Sequence, residues 1–293
     1  MAKTTLVTPR DLDIFLALDR SPLTARQLLR VSQTFAQPFT SERCVRERLA
    51  RLSAAGRVRR WTYATAGRGA LGYYVLARLG HHLLHGHDVV PPKRIGGPVA
   101  LARQPHTQAL ADFIVQTTVL AHQSSTSLAD FYAENTLCLR LDKECLYPDS
   151  AFRLRTADGQ DFSFFVELDN GTQPIHSPKD VESWQRKLRF YQRFQDEARA
   201  RFRVLLVSTR SSQRLEHLLS TAAALAKVPE RSLCYGVTLA AYLTARNPLV
   251  EACFRNHRGE PVALLPRATA SPPQPSPTPS VRPPSVLVSS SCR

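Results

Sequence analysis

Long apolar runs, methionine and paired cysteines are what this sequence has least of. Its single methionine is Met1, and no uninterrupted hydrophobic stretch approaches the roughly 18 residues of a membrane-crossing helix. The opening ten residues lack the apolar centre of a secretory signal, so the sequence reads as cytoplasmic with no membrane contact. Six cysteines (Cys44, Cys138, Cys145, Cys234, Cys253, Cys292) are scattered without a Cys-x-x-Cys pair. That excludes both a disulfide framework and a zinc knuckle, and leaves free thiols as the expectation. Acid is scarce as well: 39 basic residues face 24 acidic ones, a formal charge of +15 with a pI near 10.1. Such a balance points to a polyanionic partner, nucleic acid before an anionic membrane surface.

At 293 residues, 43% hydrophobic and 22% charged, the chain is long enough for two domains with real cores. Residues 8–19 read as a helix capped by Thr8, with Pro9 in its first turn and Asp11 at its positive end. A short helix follows from Thr24. A third, from Thr40 or Ser41 to Ala54, buries Val45, Leu49 and Leu52 and carries Arg43, Arg46, Arg48 and Arg51 on its other sides. Strands over 57–63 and 71–77 flank a loop of small residues bearing Arg68. Three helices and a hairpin make a winged helix-turn-helix over 8–88. The third helix would enter the major groove, and Arg68 at the wing tip would reach phosphate or the minor groove. Between Thr8 and Trp61 there are 11 arginines, no lysine and 5 acids, so the positive excess sits where this fold would use it.

Four histidines close the unit: His81, His82, His85 and His87. His81 and His85 share a helical face, but the sequence offers no third ligand near them, and solvated histidines at a helix end suffice. A Pro/Gly-rich linker over 89–105 is the best domain boundary. Beyond it a helix over 106–122, a strand over 136–141, a helix over 180–198, an apolar strand over 204–208, a helix over 213–226 and a strand over 233–237 describe an α/β domain over 106–265. From 266 to 293 there are eight prolines and no acid, which predicts a disordered Pro/Ser-rich tail.

Within the second domain, residues 146–172 read as a hairpin with acids at one end. Alternation puts Phe162, Phe164, Val166 and Leu168 on one face and Ser163, Phe165, Glu167 and Asp169 on the other. A three-residue loop with left-handed Gly159 pairs Phe152 and Leu154 with Phe164 and Phe162 or their neighbours and keeps the apolar face continuous; a two-residue loop would set Phe152 opposite Phe165 and turn Asp149 toward that face. The first register brings Asp149 opposite Glu167 or Asp169. Three crowded carboxylates repel one another without a cation, and Mg²⁺ or Mn²⁺ would satisfy them. Solvated acids at a strand end are the plain alternative.

The order of pieces, from the Arg-bearing winged helix through the proline-rich joint to His106 opening a helix, Glu134, Pro148-Asp149, Glu167-x-Asp169-x-Gly171-Thr172, Lys187 with Arg-Phe-Tyr after it and a Val-Leu-Leu-Val strand, resembles the replication-relaxation family of bacterial plasmids and mobile elements. The second half also looks like the PD-(D/E)XK, restriction-endonuclease-like core of MobC-type relaxases. The resemblance implies that Asp149 is the first metal-binding acid, Glu167 the second, and Glu134 the acid that precedes both. Asp169 stands where that motif has its lysine; it could bind a second metal, and Lys187 would have to come in from the next helix. The implied partner is double-stranded DNA at an origin-like plasmid site, with a homodimer or replication and transfer proteins as further partners. Replication initiation, DNA relaxation or conjugative mobilisation is the role implied. The alternatives are an active metal-dependent nicking enzyme and a winged-helix transcriptional regulator.

Overall fold

The computed structural model describes residues 6–64, 71–93, 95–177, 183–198 and 201–266. Arg68 and the tail from 267 onward lie outside them, as does the start of the helix expected over 180–198.

Local chemistry starts the first helices. In α1 (Pro9–Arg20), Thr8 and Asp11 satisfy each other's backbone, with Thr8 N–H donating to Asp11 Oδ2 at 2.8 Å. After the two-residue β1 (Leu23–Thr24), Thr24 and Gln27 repeat the device for α2 (Ala25–Val31). Ser41 caps α3 (Glu42–Ala54), whose Val45, Leu49 and Leu52 have no exposed surface. Gly56, at φ +69°, lets the chain leave α3 in the left-handed region. β2 (Val58–Thr62) and β3 (Gly72–Leu76) pair antiparallel, and β1 adds to β3, giving the order β1-β3-β2. α4 (Arg78–His85) then packs on α1, with Gly80 against Arg57 just ahead of β2.

The 20-residue α5 (Gln104–Gln123) serves two cores. Leu110, Phe113 and Ile114 pack on the large sheet, while Ala111 and Val115 join the apolar centre made by α1, α2 and α3. Polar contacts follow the same seam: Gln27 Nε2 donates to Asp112 Oδ1 at 2.7 Å, and Arg30 meets Gln116.

After α5 come β4 (Ser127–Tyr132), a separate ribbon of β5 (Leu139–Leu141) and β6 (Glu144–Leu146), then β7 (Ser150–Arg155), β8 (Asp161–Asp169), α6 (Trp184–Glu197), β9 (Phe202–Ser208), α7 (Ser212–Leu225), β10 (Cys234–Thr238), α8 (Leu239–Thr244), β11 (Phe254–Asn256) and β12 (Pro261–Val262). Seven strands form one mixed sheet in the order β12-β11-β10-β9-β8-β7-β4, parallel only where β8, β9 and β10 adjoin. Phe152, Phe164, Val166, Leu205 and Val207 face α5 and α8; Val204 and Leu206 face α6 and α7. The architecture is thus mixed α and β, and none of its described helices is long and apolar enough to cross a membrane. The described cysteines are free thiols.

One expectation needs correcting, and one strand is unexpected. The strand expected over 136–141 is only β5, because Thr136 N–H turns back onto Ala133 O. β4 has no clear signal in the sequence because it is half-exposed on both faces and interrupted by a bulge between Ala129 and Tyr132, where Asp130 takes φ +45°.

Candidate functional site at the β7–β8 hairpin

The hairpin takes the register with the continuous apolar face. Thr156 N–H donates to Gln160 O at 3.0 Å around a loop in which Gly159 has φ +84°, and Phe152 pairs with Phe164 and Leu154 with Phe162. Asp149 is thereby fixed beside β8. Its N–H donates to Val166 O at 3.0 Å, and its Oδ2 accepts the Leu168 N–H at 2.7 Å.

Around Asp149 three other elements converge. His106, in the first turn of α5 behind Pro105, puts Nε2 3.0 Å from Asp149 Oδ1 and 3.6 Å from Glu134 Oε1. Glu134, in the turn after β4, also ion-pairs with Arg103. One donor atom from each of His106, Glu134 and Asp149 lies within 4.8 Å of the other two. Next to this group Glu167, without exposed surface, accepts from Lys187 Nζ at 2.6 Å on Oε2 and from the Tyr191 hydroxyl at 2.7 Å on Oε1. Lys187 and Tyr191 stand one turn apart on α6, so a single helical face supplies both.

The two acids respond to burial in opposite ways. Burial works against the Asp149 charge, but His106, Lys187 and the Leu168 amide outweigh it and hold the carboxyl below its usual value. For Glu167 burial prevails: it raises the carboxyl despite Lys187, and the Asp149 charge adds to the rise. Burial, together with the Glu167 carboxyl, also pushes Tyr191 well above the ordinary phenol range.

Asp169 is engaged elsewhere. Arg214 of α7 donates to both its oxygens, Nε to Oδ2 at 2.6 Å and Nη2 to Oδ1 at 2.9 Å, and Trp184 Nε1 donates to Oδ1 at 3.1 Å. Alternation does put Glu167 and Asp169 on one face. Residues two apart on a strand, however, are separated by about 6.7 Å, and at that spacing each meets different helix residues. Of the three acids expected to share a metal, Asp149 belongs to the convergent donor group, Glu167 adjoins it through Lys187, and Asp169 ties β8 to α6 and α7. The roles of His106 beside Asp149 and of Arg214 on Asp169 escape sequence reasoning because the partners are distant in sequence and the local pattern around each is an ordinary helix start.

On α3, Arg43 and Arg46 are exposed and pair along the helix with Glu47 (2.9 Å) and Glu42 (2.5 Å), and Arg51 is exposed. Arg48 turns inward instead, its Nε 2.6 Å from Oδ1 of the fully buried Asp11. Burial opposes the Asp11 charge, but Arg48 and Thr8 hold that carboxyl below its usual value. A cavity of about 710 Å³ opens at the other end of β8 and β9, beside Asp161, Phe202, Arg203 and Tyr235, away from the acids.

A family model described as Replication-relaxation matches residues 18–204, more than half of the chain and inclusive of α3, the β7–β8 hairpin and Lys187. No curated protein matches, and no solved structure does.

Proposed function

Because the chain belongs to the replication-relaxation family, we propose that it acts on the DNA of a plasmid or other mobile element, gripping duplex with α3 and nicking it at the acidic cluster. In this reading α1 to β3 are a winged helix, with the exposed Arg43, Arg46 and Arg51 against phosphates. The seven-stranded unit is a restriction-endonuclease-like core.

The observation that carries the reading is Lys187 Nζ at 2.6 Å from Glu167, beside Asp149, His106 and Glu134. It brings a lysine to the acids from α6, where the sequence has Asp169 in the motif's lysine position. Two carboxylates and an imidazole fit Mn²⁺ better than Mg²⁺, which favours all-oxygen shells. His106, Asp149 and Glu134 would hold the ion, which would supply Lewis-acid stabilisation of charge on a scissile phosphate. Glu167 and Tyr191 orient the Lys187 ammonium, which is positioned to pair with a phosphate oxygen. Asp149 keeps the charged form that cation binding needs. Tyr191 is buried and hydrogen-bonded to Glu167, so it serves as a positioning residue rather than as a nucleophile.

A non-catalytic DNA-binding initiator is the second reading. It is favoured by the acids being balanced by the protein's own cations, Lys187 on Glu167 and Arg103 on Glu134. Supercoiled plasmid incubated with the protein and Mn²⁺ or Mg²⁺ separates the two. Open circles formed by the wild type and lost with Asp149→Asn support the nicking enzyme; tight binding without any open circles supports the initiator.

A further inference from the structure

The fold completes a ligand set that the sequence leaves unfinished. Asp19, in the last turn of α1, places Oδ2 2.9 Å from Nε2 of His85, 66 residues further along the chain. One donor atom from each of Asp19, His81 and His85 lies within 4.8 Å of the other two. His81 is only 5% exposed, its ring stands 4.5 Å from that of His85, and its Nδ1 is buried without a hydrogen-bond partner. A buried imidazole nitrogen in that position calls for a partner.

We propose that Asp19, His81 and His85 form a zinc site clamping α4 onto α1. Two imidazoles and one carboxylate are the donors of a borderline-soft ion, not of Mg²⁺. Tetrahedral ligands at ordinary zinc–nitrogen lengths lie about 3.3 Å apart, so separations between 2.9 and 4.8 Å close with small side-chain rotations. Asp19 and His85 also stand in the final turns of their helices, where the outward carbonyls favour a cation. Water completes the shell. Since α4 follows β3 directly, the clamp ties the end of the hairpin to the first helix.

This site is independent of the acidic cluster, and the test keeps the two apart. The full-length protein, stripped with chelator, is loaded with Zn²⁺, gel-filtered and assayed for bound zinc and thermal stability, as wild type, as His85→Ala and Asp19→Asn, and as each of these combined with Asp149→Asn. His85 is exposed and Asp19 half-exposed, so these variants keep the fold where His81→Ala need not. The wild type should melt about 5 °C or more higher with zinc than without. His85→Ala and Asp19→Asn should each lose about one zinc per chain and that increment, whether or not Asp149 is intact. If both variants retain wild-type zinc and the full rise in melting temperature, the assignment is overturned.

Discussion

Lys187 is the residue on which stability turns at the acidic cluster and, in the nicking reading, chemistry as well. Its ammonium is the cation on a carboxylate with no exposed surface, and breaking a buried pair costs about 3–5 kcal/mol. Lys187→Met should therefore lower stability by about that much at pH 8, measured by urea unfolding. The deficit should shrink toward pH 5. Glu167 is a carboxyl raised by burial, so the folded state binds its proton more readily than the unfolded state. The resulting stabilisation is present at low pH and lost as pH rises through the folded value; an equal deficit at both pH values would contradict the pairing. Arg48 invites a parallel test. Its partner Asp11 is also fully buried, so Arg48→Ala should cost about 3 kcal/mol while leaving the salt dependence of DNA binding alone. In the sequence Arg48 is indistinguishable from its neighbours on α3, because what separates them is Asp11 on another helix.

At the scale of elements, helices and hairpins are legible in the sequence because their signals are local. Thr8 with Asp11, Thr24 with Gln27 and Ser41 at α3 each close their own first turn, and the spacing of Val45, Leu49 and Leu52 marks one face. Gly159 and the alternation after it fix the β7–β8 register and so the place of Asp149. Neighbourhoods are less legible: which helix residue meets Glu167 and which meets Asp169 is decided by how α6 and α7 lie on the sheet. α4 shows the same limit. A Cβ on Gly80 would stand 2.3 Å from Arg57 O, so this helix can approach the hairpin only with glycine there. Gly80→Ala should cost about 1–3 kcal/mol through overpacking, read as a fall in the thermal midpoint. An unchanged midpoint would mean that α4 does not press on the hairpin.

For the whole molecule, charge and connectivity matter together. The excess of +15 points to a polyanion, but it does not say which arginines remain free to meet it. If Arg43, Arg46 and Arg51 face phosphates, the triple alanine variant should bind duplex more weakly, and its log–log salt slope should fall by about 0.9 for each phosphate no longer neutralised. An unchanged slope would remove α3 from the interface. α5 joins the two cores through Ala111 and Val115 on one side and Leu110 and Phe113 on the other, with His106 in its first turn. The helix that braces the N-terminal unit thus also positions a donor of the acidic cluster. The most direct measurement of the central claim is the nicking rate on supercoiled DNA with Mn²⁺ for Asp149→Asn, Lys187→Met and Asp169→Asn, each normalised to folded protein. Asp149→Asn and Lys187→Met should each lose on the order of 100-fold or more while Asp169→Asn stays near wild type; equal losses in all three, or cleavage untouched by Asp149→Asn, would contradict it.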